Sequence, residues 1–189
     1  MSESLLNPFT GLRPTPDVAA EVAAPPYDVV SFSEAKALAE GRPWSFLHVS
    51  RPEIDLADGT DPYSDKVYRK GADNLSGMTE AGVLIRDPTP CFYVYRIIMG
   101  DHSQTGLVAA APVVAYNENR VRKHEFTRPD KEDDRVRQID SVDAQTGPVL
   151  VVHEAQDSVS AVLAEITVED PTYDAVSYTH LTLPTILRV

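Results

Sequence analysis

The 189-residue chain has a single cysteine, Cys91. One thiol excludes an intramolecular disulfide and a cysteine-rich zinc site. Its place at the head of the apolar run CFYVY points to a buried, inert side chain. Long apolar runs are also missing. The longest, Gly106 to Ala115, is interrupted by Pro112 and is too short to cross a bilayer. The amino-terminal MSESLLNPFTG has no basic segment followed by an apolar core, so no signal peptide is legible and a cytoplasmic location is expected. Basic residues are few: 17 Lys and Arg stand against 29 Asp and Glu, a net charge of −12. Such a chain repels nucleic acid and anionic membranes at long range, so neither is an expected partner. There is no glycine-rich phosphate loop of either standard kind and no H-E-x-x-H spacing, so no metal site is predicted.

What is present is the composition of a folded chain, 42% hydrophobic and 24% charged. Five prolines between Pro8 and Pro26 dictate an extended entry, with one helical turn in Asp17 to Ala23. Ser31 and Glu34 have the spacing of a capping box, which predicts a helix over Phe32 to Glu40 stopped at Gly41. Trp44 to Ser50 reads as a strand ending at Arg51-Pro52. Pro62 opens a second helix whose apolar face is Val67, Tyr68, Leu75, Met78 and Ala81. Cys91 to Met99 and Thr105 to Tyr116 read as two strands joined as a hairpin through Gly100 to Gln104. Further along, a strand is expected at Arg120 to His124 and a helix from Arg128 to about Val142, capped by Thr127. A strand at Pro148 to His153 and a helix at Ser158 to Glu165 follow. Helices and strands are mixed without regular alternation. The expected class is α+β, a mixed or antiparallel sheet with flanking helices.

Three stretches carry chemistry. In RVRKHEFTRPDKEDDRVR, Arg120 to Arg137, a basic knot of Lys123 and His124 sits beside Glu125 inside an acidic protein. Cations next to a carboxylate suit the holding of a phosphate and the handling of a proton. Thr127 and Lys131 are candidate phosphate partners in the same stretch. Asp130, Glu132, Asp133 and Asp134 either steady a helix N-terminus through its dipole or supply oxygens to Mg²⁺. Asp133 and Arg137 have the spacing of a solvated i,i+4 pair. In PPYDVV, Pro25 to Val30, two prolines present Tyr27 and Asp28, either to a ligand or simply as a rigid turn. In HVSRPEID, His48 to Asp55, Arg51 and Glu53 stand together in a loop, as a carboxylate-binding fork with a general base or as a surface ion pair of little energetic weight. Tyr93 and Tyr95 alternate as cross-strand packing residues do.

The final stretch, VSYTHLTLPTILRV from Val176 to Val189, differs from the rest. It carries one charge, Arg188, and Pro184 removes a ladder donor from what would otherwise suit a strand. Val176 to Thr185 is also what a transposase adaptor used in sequencing-library preparation encodes in one reading frame. The stretch is therefore read as a non-native tail on residues 1–175, which are expected to be the N-terminal part of a larger domain. Re-reading the source DNA across the Val176 codon, from a library made without that adaptor, is expected to show a different, continuing frame; an unchanged VSYTHLTLPTILRV would overturn this.

Several motifs together resemble the domain-of-unknown-function 1015 family: PFTGLRP at Pro8 to Pro14, APPYDVVS at Ala24 to Ser31, SFLHVSRPEIDL at Ser45 to Leu56, FYVYR at Phe92 to Arg96, KHEFTRPDKEDDR at Lys123 to Arg135, and AQTGPVLVV at Ala144 to Val152. The resemblance implies a protein of roughly twice this length, with a downstream D-G-H-H-R-type motif that this chain lacks. It also implies a partial likeness to ParB and sulfiredoxin folds, which include nucleotide switches and a kinase acting on free serine. On that footing the expected partners are a small-molecule substrate and a nucleotide, ATP or ADP with Mg²⁺. Glu53, His124 and Glu125 would be the catalytic residues. Tyr27, Asp28, Arg51, Lys123, Thr127 and Lys131 would hold substrate or phosphate, and this chain alone would be inactive. The alternative is a non-catalytic nucleotide-binding switch or an interaction module.

Overall fold

Ser31 and Glu34 close the capping box reciprocally: the Ser31 hydroxyl accepts from the Glu34 amide, and the Glu34 carboxylate accepts from the Ser31 amide at 2.8 Å. The computed structural model in which this is seen describes residues 4–123, 126–178 and 181–188. The chain divides into two compact units, one of Met1–Pro16, Arg86–Phe126 and Pro148–Val189, the other of Asp17–Ile85 and Thr127–Gly147.

The second unit is helical. α1 (Ala19–Val22) and the capped helix α2 (Phe32–Ala39) lead to α3 (Leu47–Ser50), a 3-10 turn at Pro52–Asp55, and the long α4 (Asp65–Glu80). α6 (Pro129–Val142) returns from later in the chain to pack on α4. Ala35, Ala39, Leu47 and Ile54 form its buried cluster, with Ala24, Val30, Phe32 and Leu38 packed on it. α4 buries Val67, Tyr68, Leu75 and Met78 at the helical period read from the sequence, and Gly71 besides; it starts at Asp65 rather than at Pro62, and Ala81, expected on this face, is exposed at the cap. Gly71 is small for a reason. A Cβ there would stand 3.2 Å from the Gln138 amide nitrogen and the Val49 carbonyl, and 3.3 Å from Pro52. Its absence lets α3, the 3-10 turn and α6 approach α4 closely. In that gap the Gln138 side-chain amide donates to the Val49 carbonyl at 3.0 Å.

The first unit carries β1 (Leu12–Pro14) and the four-stranded antiparallel sheet. β2 (Leu84–Arg86) follows α4. β3 (Tyr93–Met99) and β4 (His102–Val108) form the predicted hairpin, with a turn tighter than expected: Met99 pairs with His102, and Gly100 takes φ +57 between them. β5 (Ala175–Tyr178) and β6 (Leu181–Arg188) complete the order β4-β3-β6-β5. The β3–β6 register shifts between Arg96 and Ile98, which pair with Thr185 and Thr182. Pro184 thus falls at an irregularity, where a missing amide is tolerated. α5 (Val113–Asn117) and α7 (Asp157–Ile166) flank the strands in the sequence of this unit. The architecture is α+β, as expected. Cys91 is buried, its thiol directed to the Thr89 carbonyl.

Five local expectations are corrected. Trp44 to Ser50 is not a strand but a turn and the single-turn helix α3, whose Ser50 and Arg51 amides return to Phe46 and Leu47. Ser45, Leu47 and Val49 are all buried, so their period-2 pattern imitates a strand, because one helical turn enclosed on several sides has no room to display its own period. Within Thr105 to Tyr116, β4 ends at Val108 and Pro112, with φ −70, starts α5. Arg120 to Lys123 is turn and coil, because the Arg120 and Val121 amides both donate to the Ala115 carbonyl and close α5. Pro148 to His153 is irregular, with Val149 to Val152 exposed and no partner strand among the described residues. Thr127 does not cap α6. Pro129 is its first residue and Arg128 stands at the cap, while the Thr127 hydroxyl donates to the Glu132 carboxylate at 2.9 Å.

Candidate functional site

Three of the chemistry-bearing stretches, distant in sequence, meet around Tyr27 in the second unit. Arg51 leaves α3 and turns its guanidinium inward. Nη1 donates to the carbonyls of Tyr27 (2.8 Å) and Val30 (2.6 Å), and Nε donates to Glu53 Oε1 at 2.6 Å. The Pro52–Asp55 turn places Glu53 two residues on, where it is buried to 6% exposure. The pair is therefore not the solvent-exposed ion pair of the simpler reading. Burial raises the cost of leaving either charge unpaired. Arg51 keeps Nη2 without a partner among the described residues.

The ring of Tyr27 is covered from α6. The Arg135 guanidinium lies over its ring at 3.9 Å from the centroid, a stacked cation–π geometry. Arg135 also donates through Nε and Nη2 to Asp134 Oδ2, at 3.2 and 2.7 Å. Asp134 is buried and accepts the Tyr68 hydroxyl on its other oxygen at 2.8 Å. Burial and this bond push the Tyr68 phenol above its ordinary value, so it stays a donor. Arg137 covers the Tyr68 ring at 4.4 Å and bonds to Asp65 at 2.8 Å. That cross-helix bond replaces the i,i+4 partner Asp133 suggested by spacing. The acidic first turn of α6 is thus partly structural, and Asp134 is its buried member. Among the described residues no group of three His, Cys, Asp or Glu is set to hold a metal ion.

Of the remaining candidates, Asp28, Thr127 and Lys131 belong to the same unit. Asp28 is exposed beside Tyr27. Lys131 is exposed on α6, donating to the Tyr63 hydroxyl at 3.1 Å with its ammonium over that ring. Thr127 is exposed at the entry to α6. Lys123 belongs to the first unit and rests over Tyr116, 4.6 Å from the ring centroid. His124 and Glu125 lie outside the described residues.

A second polar cluster of this unit was not singled out as a site. His48 Nδ1 meets Asp55 Oδ1 at 2.7 Å, Nε2 meets the Arg42 carbonyl at 3.1 Å, and Asn74 donates to Asp55 Oδ2 at 2.7 Å. The His48–Asp55 pair walls two shallow grooves of about 610 and 520 Å³. The signal in the sequence was weak. His48 and Asp55 only bracket HVSRPEID, and Asn74 and Arg135 sit in helices where a solvated face is the ordinary outcome.

A family profile described as a protein of unknown function, DUF1015, matches residues 6–182. The chain belongs to this family. Every motif that carried the resemblance falls inside the matched span of DUF1015, as do Tyr27, Arg51, Glu53, Asp134 and Arg135. No curated protein and no solved structure matches the chain. In this DUF1015 chain, no helix among the described residues is long and apolar enough to cross a membrane.

Proposed function

We propose that this DUF1015 protein is a cytoplasmic transferase that takes a phosphoryl group from a nucleotide and passes it to a small hydroxyl compound such as free serine. One observation carries the reading: the motifs at Arg51-Glu53 and at Asp134-Arg135 meet at one residue, Tyr27, Arg51 on its main-chain carbonyl and Arg135 on its ring. Arg51 and Arg135 bring two guanidinium groups to this place in a chain of net charge −12. Each is paired with a carboxylate, Glu53 and Asp134, so the place is near neutral within an acidic chain and repels an anionic substrate less than the rest of the surface does. The transfer breaks the bond between the terminal phosphorus and its bridging oxygen, forms a bond from that phosphorus to the substrate hydroxyl oxygen, and sends the hydroxyl proton to a carboxylate. Glu53 is the carboxylate for this role, and Thr127 and Lys131 of the same unit hold phosphate oxygens, Lys131 by its charge and Thr127 by its hydroxyl. Mg²⁺ would arrive on the nucleotide, since few protein ligands are needed when phosphates supply the rest.

A second reading, a non-catalytic nucleotide-binding switch, is favoured by the state of Glu53, which is buried and already paired with Arg51. One experiment separates the two. The full-length protein is incubated with ATP, Mg²⁺ and a panel of hydroxylated amino acids, with nucleotide binding followed by calorimetry and product by mass spectrometry. Equal amounts of ADP and phosphorylated amino acid are expected. Tight nucleotide binding without product would establish the switch instead, and neither binding nor product would remove both readings.

A further inference from the structure

His48 is held from two sides by groups that only accept. A neutral imidazole carries one N–H and one lone pair, so it can satisfy either Asp55 or the Arg42 carbonyl and must turn a lone pair on the other. Only the imidazolium donates to both, at the 2.7 and 3.1 Å observed. The Asn74 amide extends the cluster, donating both to Asp55 Oδ2 at 2.7 Å and to the His48 carbonyl at 2.6 Å. One side chain from α3, one from the 3-10 turn and one from α4 are thereby joined.

We propose that this cluster is a proton-operated latch: the protonated His48, with Asn74, fastens the Pro52–Asp55 turn, which carries Glu53 and follows directly on Arg51, to α3 and α4, and loss of that proton removes the ion pair and one of the two ring bonds and so loosens the turn. The charged groups around the ring are Asp55 on the turn, Lys70 and Asp73 on α4, and Lys36, Glu40 and Asp58 on the groove wall beyond. Lys70 opposes the charge on His48. Lys36 is engaged by Asp58 at 2.7 Å, and Asp55 is in direct contact with the ring. The hydrogen bond to Asp55 accordingly raises His48 above its ordinary value against the opposing effect of burial. Burial pushes Asp55 upward, but its bonds from His48 and Asn74 outweigh this and leave it below its ordinary value. The sign for the imidazole follows from linkage. The stability His48 contributes is complete below its unfolded value, about 6.5, and is lost as pH rises through the higher folded value. The Asp55 contribution is present above its unfolded value and is lost as pH falls through the lower folded one. The latch is closed between these limits.

The latch does not depend on phosphoryl transfer, and its test uses no substrate. The imidazole nitrogens are followed by NMR against pH in the whole chain, together with amide exchange at Ile54 and Leu56, which donate to the Arg51 and Glu53 carbonyls. Expected are two protonated ring nitrogens on His48 at about pH 6, a titration midpoint above about 6.5, and loss of intrinsic-rate-corrected protection at both amides over the same range. His48→Gln should abolish that pH dependence, whereas His102→Gln and His153→Gln should not. A midpoint at or below the free value, or protection that ignores the titration, would overturn the latch. If His48→Gln fails to fold, the wild-type titration decides alone.

Discussion

Asp87→Ala is expected to lower the stability of the first unit by about 3–5 kcal/mol, the range for removing one partner of a buried, hydrogen-bonded charge pair. The carboxylate of Asp87 has no exposure, and it sits where the amino-terminal segment is tied down. Arg13 donates to it through Nε to both oxygens at 3.0 Å and through Nη2 to Oδ1 at 2.7 Å. The Tyr93 hydroxyl donates to Oδ2 at 2.7 Å while accepting the Gly11 amide at 2.7 Å. Arg13 also reaches the Tyr173 hydroxyl, which in turn donates to the Pro14 carbonyl. Removing Asp87 strands a guanidinium that is 17% exposed and a buried phenol together. Burial and the bond to Asp87 hold the Tyr93 phenol well above its ordinary value, so it remains a donor and cannot take over as an anion. Tyr93→Phe alone should cost about 1–3 kcal/mol. Because Tyr93 and Asp87 share a bond, the double variant should be less destabilised than the sum of the singles. Urea denaturation of the four proteins measures this. A loss for Asp87→Ala within the roughly 0.5 kcal/mol typical of surface changes would refute the tie.

Arg51→Lys is expected to cost about 1–3 kcal/mol and to free Tyr27, although it conserves charge. The planar fork of Arg51 serves three acceptors at once, the carbonyls of Tyr27 and Val30 and the Glu53 carboxylate. An ammonium offers three donors from one point and cannot span that plane, so at least one carbonyl loses its partner. With the Tyr27 carbonyl released, its ring has less reason to remain under Arg135. The check is twofold: denaturation for the stability change, and the ring-current shift of the Arg135 side-chain protons by NMR for the loss of stacking. Under the transferase reading the same variant should lose most of its turnover. An Arg51→Lys protein as stable as its parent, with Tyr27 still stacked, would show that Arg51 is a surface charge after all.

Both predictions depend on contacts between residues that the sequence separates widely, and this marks the limit of what could be read from it. Local rules worked where the chain decides for itself. The capping box of α2, the apolar period of α4 and the β3–β4 hairpin depend on residues within a few positions of one another. They failed where the surroundings set the outcome. Leu47 and Val49 have strand-like preferences, but they lie in a helical turn because the space beneath α2 and α4 accepts that shape. Val149 to Val152 has the composition of a strand and finds no partner among the described residues. Of the candidate site, the stretches around Tyr27, Arg51 and Glu53 were legible as unusual, but their meeting was not.

By itself the sequence determined the α+β class, the buried single thiol, the family, and the local elements whose signals are short-range. Tertiary structure alone decided that Arg51 and Glu53 are a buried pair, that Arg135 covers the Tyr27 ring, that Asp134 is the buried member of the acidic turn, and that His48 is clasped between two acceptors. The physical reason is range. Capping and periodicity act over a single turn of chain. Burial of charge and the sharing of donors depend on which distant segments fold against each other, and they set the protonation and pairing on which any chemistry at this site rests.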